Sequence, residues 1–367
     1  MTRSQGIIRT SLVGIAANIL LAAFKATVGI LANSIAIIMD AINNLSDVLS
    51  SVITIVGTKL SERPADRKHP FGFGRIEYFS AIIIAVIILL AGATSLVESA
   101  KKIFSPTTPQ YSPVTLSVII VDIFVKLLLG QYVKRQGIKL KSDALTASGS
   151  DALFDAFITL ATLISAGIML IWNISLDGIL GTLISVIIIK AGIEMLASPV
   201  NELLGARISP EFIHHIKQEV LAFDEVHVVY DIILHNYGPN FFIGSLHINV
   251  MDTLSAHEIH GLTLRISHQL YERHNVILTI GIYSLPTGEK KQAQLQTIIM
   301  QTLAQHKEII QVHGFYYFEQ EHRISVDIVP DISVKDEKSL LETLYNELRP
   351  LIPDETITII VDHNYSE

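Results

Sequence analysis

Two short stretches place carboxylates where they could grip a cation. SIAIIMDAINNLSDVLSS sets Asp40, Asn43 and Asp47 at i, i+3 and i+7, on one face of a helix. SDALTASGSDALFDAFITL sets Asp151 and Asp155 at i and i+4, again on one face. Two helices each offering such an i, i+4 pair make a four-point cage from Asn43, Asp47, Asp151 and Asp155. Three carboxylates and one amide suit a hard divalent cation. Asp40 lies one turn from Asn43 and reads as an access-path or supporting residue rather than a ligand. The bland alternative is that these side chains pair with Lys25, Lys126 or Lys190, or cap helix turns.

The surroundings decide how unusual these acids are. Half of the 367 residues are hydrophobic and 17% are charged, against about a quarter in an ordinary soluble domain. The excess is confined to the first 200 or so residues, where six apolar spans read as 9–31, 34–58, 77–99, 113–132, 144–171 and 177–198. Asp40 and Asp47 fall in the second, Asp122 and Lys126 in the fourth, and Asp151 and Asp155 in the fifth. An ionisable group at membrane depth costs about 2.5–3.5 kcal/mol on insertion scales, so each implies a function or a partner. Asp122 and Lys126, at i and i+4, read as an internal ion pair. Ala147, Ser148, Gly149, Ser150 and Ala152 around the fifth-span acids are small enough for a neighbouring helix to approach closely. The apolar run at the N-terminus continues past Lys25 with no clean cleavage site and reads as a retained first helix.

Charge in the connections orients the chain. Arg3 and Arg9, the group from Lys59 to Arg75, and the group from Lys134 to Lys141 lie on one side. The opposite side carries only Lys101 and Lys102. The positive-inside rule therefore places both termini in the cytoplasm. Arg75 and Glu77, at the cytoplasmic mouth of the third span, offer an anchor for the helix bundle; the favoured reading is positive-inside anchoring for Arg75 and a helix N-terminal charge for Glu77.

Residues 207–367 change character and read as cytosolic α+β. A helix over 209–221, strands over 227–235 and 241–250, a helix over 255–274 and a strand over 275–284 give the order αββαβ, a ferredoxin-like module with helices over one face of its sheet. The order recurs as a helix at 290–305, strands at 311–319 and 323–330, a helix at 336–348 and a strand at 355–362. The domains are thus 1–206, a six-span all-α membrane domain; 207–285, a first cytosolic αββαβ module; and 286–367, a second module. There is no cysteine, hence no disulfide or thiolate site, and no basic patch with interleaved aromatics to bind nucleic acid. No nucleophile–base pair or phosphate loop suggests an enzyme, and no tightly bound cofactor is expected. All 14 histidines lie outside the spans.

Six spans, matched acidic stretches in the second and fifth, and a cytosolic αββαβ module resemble the cation diffusion facilitator family. The loop PADRKHPFGFGRIEYFSA is close to its D-x-x-HPFGHGRxE, and MDAINNLSD and ASGSDALFD are close to ADALHSLSD and ADALHSxSD. The resemblance covers roughly residues 10–285. It implies a transport site at Asn43, Asp47, Asp151 and Asp155, the four residues chosen above. Zinc-transporting members put His at the first position of one or both pairs; an Asn-Asp/Asp-Asp set resembles the manganese-exporting branch. The implied function is a homodimeric Mn2+/H+ antiporter of a cell membrane, and a bacterial inner membrane is the expected location. Fe2+, Co2+ or Zn2+ are alternative cargoes, and a membrane-anchored metal sensor is the alternative of another class.

The family's other metal sites look absent. Asp66 remains in the loop, but Phe73 replaces the second His. Tyr230, beside Asp231, stands where one cytosolic His is expected, and Ile280–Tyr283 lacks another. His247 is left without its partners and reads, with the other cytosolic histidines, as surface or packing; His257 and His260 are the best exception.

Overall fold

The computed structural model describes residues 2–31, 35–104, 113–172, 177–239, 241–287 and 290–363. The chain divides into two compact units, Met1–Ala206 with Tyr237–Pro239, and Arg207–Asn236 with Asn240–Glu367.

The first unit consists of six long helices: α1 (Arg3–Leu31), α2 (Ile35–Ser61), α3 (Ile76–Phe104), α4 (Pro113–Lys139), α5 (Asp143–Trp172) and α6 (Asp177–Leu204). Among the described residues, five of them (all but α2) are long and apolar enough to cross a membrane. The sixth, α2, has 27 residues and carries the Asp40–Asp47 stretch. Several helices outrun the apolar spans. α4 continues to Lys139, because the apolar rule marks the hydrocarbon crossing and not the end of the backbone hydrogen bonding. α6 runs through Pro199 to Leu204.

The helices pack most closely as the pairs α1–α2, α3–α6 and α4–α5. Ala81, Ile84 and Ile88 of α3, Ala144 and Ala147 of α5 and Ile188 of α6 form one buried cluster. Ile7 of α1, Leu129 and Val133 of α4 and Leu145 of α5 form another. At one end of the bundle the Arg3 guanidinium donates a two-point fork to Glu77, at 2.8 and 2.6 Å, and further bonds to the carbonyls of Leu140 and Lys141. A charge-assisted fork of this kind fixes angle as well as distance. Glu77 is therefore more than a helix-terminal charge: it ties α1 to α3, while Arg3 also holds the α4–α5 turn.

Small residues set the α4–α5 distance. A Cβ on Gly149 would collide with the Lys134 backbone, and one on Gly137 would sit 2.6 Å from the Thr146 nitrogen. The small stretch of the fifth span thus serves the approach of α4. Gly149→Val should force α4 and α5 apart and cost at least about 1–3 kcal/mol, as overpacking does. A lowered midpoint of thermal unfolding in detergent checks this; an unchanged midpoint would show that the helices can part freely.

The second unit contains α7 (Pro210–Leu221), β1 (Val228–Asn236), β2 (Phe242–Met251), α8 (Ala256–His274) and β3 (Val276–Leu285). It continues with α9 (Lys290–Leu303), β4 (Ile309–Phe318), β5 (Arg323–Pro330), α10 (Glu337–Leu348) and β6 (Thr356–Val361). The αββαβ order therefore occurs twice. Each sheet has its middle strand antiparallel to the first and parallel to the third: β1-β2-β3 and β4-β5-β6. Side-chain chemistry sets the helix ends. Ser209 caps α7, Ser255 and Glu258 form a capping box on α8, Asn275 closes α8 in the left-handed conformation, and Asp336 caps α10. Ile213, Ile216, Leu262, Ile266 and Leu270 cover one face of the first sheet; Leu295, Ile299, Leu303, Leu344 and Leu348 cover one face of the second.

Candidate metal site in the membrane domain

The acids of α2 and α5 converge on α4. The Lys126 ammonium donates to Asp47 of α2 at 3.1 Å and to Asp155 of α5 at 2.7 Å. The lysine side chain is 3% exposed and the two carboxylates 17% and 24%. One ammonium can reach both only if the two carboxylates approach one point between the helices. Asp47 and Asp151 also line one small cavity, together with Asn18, Ser51 and Ser148. Asp47, Asp151 and Asp155 are thus gathered in one region of the bundle by three helices. The side chains of Asn43 and Asp40 lie outside the described residues; both positions are on α2. Around the gathered acids every described cavity-lining polar atom is an oxygen or amide donor, with no imidazole or thiol.

The internal Asp122–Lys126 pair expected from spacing does not form. Asp122 instead pairs with Lys25 of α1 at 2.6 Å, with side chains 2% and 0% exposed. Lys25 also donates to Asn44 at 3.4 Å. An i, i+4 pair on a helix gains only a few tenths of a kcal/mol, whereas an ammonium in an apolar bundle must find whatever anions surround it. The pairing is therefore decided between helices: Lys25 takes Asp122, and Lys126 is free to turn to Asp47 and Asp155. Sequence reasoning placed Lys126 among the possible bland partners but did not identify it as the bridge. The available signal was a lysine midway along an apolar span. Lys190 pairs with Glu194 along α6 at 3.9 Å and is exposed.

In the loop between α2 and α3, Asp66 accepts the backbone N–H groups of Lys68 and His69 at 2.8 and 2.6 Å, and His69 packs on Phe73 with ring centres 4.3 Å apart. Asp66 thus shapes a turn. In the second unit His257 and His260 are both exposed on α8. His215, Glu219 and His274 form a cluster in which Glu219 also meets Arg273 at 3.6 Å, so its charge bridges α7 to α8.

Comparison with known proteins places the two parts of the chain in one family. Residues 11–204 match the cation efflux transmembrane domain and residues 208–282 match the cytoplasmic domain of cation efflux proteins. The chain belongs to the cation diffusion facilitator family and is a multi-pass, divalent-cation efflux transporter. It is 28% identical over 265 residues to an uncharacterised transporter of Methanocaldococcus jannaschii, covering 72% of this chain and 93% of that one. It is 26% identical over 270 residues to the manganese efflux system protein MneP of Bacillus subtilis, covering 71% and 87%. It is 26% identical over 217 residues to the magnetosome protein MamB of Magnetospira, covering 59% and 74%.

Proposed function

We propose that the chain exports Mn2+ from the cytoplasm in exchange for protons, as a homodimer in a cell membrane with both termini cytoplasmic. The observation that carries the reading is the convergence of Asp47 and Asp155, from two different helices, on one buried ammonium. Carboxylates so arranged form a preassembled oxygen site. With Asp151, three carboxylates and one ammonium leave two negative charges uncompensated, the charge of one divalent ion. An entering metal and the Lys126 ammonium compete for the same oxygens of Asp47 and Asp155.

The mechanism follows from alternation. Mutual repulsion among the three carboxylates makes it favourable for them to take up protons when the metal leaves to the outside. On the cytoplasmic side Mn2+ displaces those protons. Asn43 has no proton to exchange and tunes metal choice; Asp47, Asp151 and Asp155 serve both ions. An oxygen donor set favours Mn2+ over the more nitrogen- and sulfur-seeking Zn2+. The Bacillus subtilis relative MneP, a manganese efflux system protein, points to the same metal. The chain acts as a transporter rather than an enzyme, and its metal is cargo rather than a resident cofactor.

Metal flux into proteoliposomes under an imposed pH gradient tests this, with Mn2+ and Zn2+ compared. Gradient-dependent Mn2+ flux supports the reading. Zn2+ flux alone would keep the efflux site and overturn the donor argument. No flux of either would favour a membrane-anchored sensor. Selectivity gives a sharper check. Asn43→His adds an imidazole and should raise the Zn2+/Mn2+ flux ratio by at least about tenfold, equivalent to ~1.4 kcal/mol of preference. An unchanged ratio removes Asn43 from the donor set.

A further inference from the structure

The second unit contains a cluster of charge that the transport site does not use, at the meeting of its two sheets. Each sheet has a face not covered by helices. On the first, Tyr230, His247 and Gly281 lie in one row, with Tyr283 two residues further along β3. On the second, His313 pairs with Asp327 across β4 and β5. These faces meet. The Tyr230 ring stacks on the His313 ring with centroids 5.1 Å apart, and the Tyr283 hydroxyl lies 3.2 Å from both Asp231 and Asp327.

Both first strands are interrupted at the same place. The β1 register breaks between Tyr230 and Ile233, with Asp231 at φ 51°, and the β4 register breaks between His313 and Tyr316, with Gly314 at φ 62°. A non-glycine residue held at positive φ costs of order 1–3 kcal/mol and persists only where its surroundings impose it. Bulges re-aim side chains. Here the bulge on β1 brings Asp231 against His313, and a Cβ on Gly314 would collide with the Asp327 carboxylate.

We propose that Asp231, His313 and Asp362 form a second metal site, which binds a divalent transition-metal ion and clamps the two cytosolic modules together. Their ligand atoms all lie within 4.8 Å of one another. The His313 side chain is 0% exposed, and its Nε2 lies 3.1 Å from Asp231 and 3.6 Å from Asp362. Yet neither ring nitrogen of His313 makes a hydrogen bond of normal geometry. A buried imidazole nitrogen aimed between two carboxylates, at ion-pair distance from both, has the disposition of a metal ligand. Asp231 is further held by His247 at 2.9 Å and by Tyr283, the kind of outer support that orients ligands around a metal. Among the described ion pairs no lysine or arginine meets Asp231, Asp327 or Asp362, so three carboxylates gather here with histidine and tyrosine side chains as partners. One imidazole and two carboxylates suit Mn2+, Fe2+ or Zn2+. Two of the three ligands come from residues beyond 282, outside the matched cytoplasmic domain, so the first module alone cannot build this site.

The test uses the full chain in detergent, stripped of metal, and equilibrium dialysis against Mn2+ and Zn2+. Asp155→Ala serves as the parent, because it removes the proposed transport site and leaves the cytosolic unit untouched. The parent should bind about one equivalent of metal per chain, and metal should raise its unfolding midpoint. In that parent, His313→Gln and Asp362→Asn should each weaken binding at least ~100-fold, more than the 10–100-fold typical of losing a supporting residue. Asp362 is half-buried, so its metal-free variant should keep the parent's midpoint and serves as the control if His313→Gln misfolds. A parent that binds no metal, or binding that survives both substitutions, overturns the inference. Equal stoichiometry in wild type and parent would instead count against the transport site alone.

Discussion

Asp155→Ala and Asp151→Ala should each reduce Mn2+ flux at least about 100-fold, to the level of empty vesicles, because losing even an outer support of a metal ligand typically costs 10–100-fold. The two substitutions have different side effects, which makes the pair informative. Asp155 holds Lys126 at 2.7 Å, so its removal also leaves a buried ammonium with Asp47 as its remaining described anion. Asp151 has no ion pair among the described residues, so its loss removes a cavity-lining oxygen with little disturbance of the Lys126 bridge. If only Asp155→Ala were inactive, the defect would trace to the bridge and not to metal binding. If both are inactive while the protein remains monodisperse and folded, the oxygen site stands. Retained flux in Asp151→Ala would remove Asp151 from it.

The second large effect is on stability. Lys25 and Asp122 are 0% and 2% exposed and 2.6 Å apart, and they link α1 to α4. Removing one member of a buried pair takes the closest counter-charge from the other and costs about 3–5 kcal/mol, whereas replacing both by apolar groups is often neutral or stabilising. Lys25→Met and Asp122→Leu should therefore each lower the unfolding midpoint sharply. The double variant should recover most of the loss, the signature of pairwise coupling in a double-mutant cycle. Simple addition of the two losses would show that the charges act separately. Flux in the double variant has a further use. If it matches wild type, this pair is structural; if it fails while stability is restored, the α1–α4 link takes part in the transport cycle.

Much of the architecture was legible in the residues. Apolar run length marks five of the membrane helices among the described residues, and helical and strand periodicity marks the elements of both modules. These signals are local: a helix repeats every 3.6 residues and a strand every two, whatever surrounds them. The facing positions of Asp151 and Asp155 were legible for the same reason. The family matches then support the transporter reading at a coarser level than the metal itself.

Partner choice was not legible. Asp122 and Lys126 are one turn apart, and local geometry favours their pairing, yet each finds its partner on another helix. The outcome depends on how closely α4 meets α5 at Gly149 and which anions then surround each ammonium. Likewise nothing local distinguishes His313 from any other strand histidine. Its setting arises only when the uncovered faces of two sheets meet and a bulge turns Asp231 toward it. The sequence by itself determined the elements and which faces carry charge, because those follow from backbone periodicity and hydrophobicity. Only the tertiary structure decided which charges meet, because the cost of burying an ion is settled by every group around it and not by its neighbours along the chain.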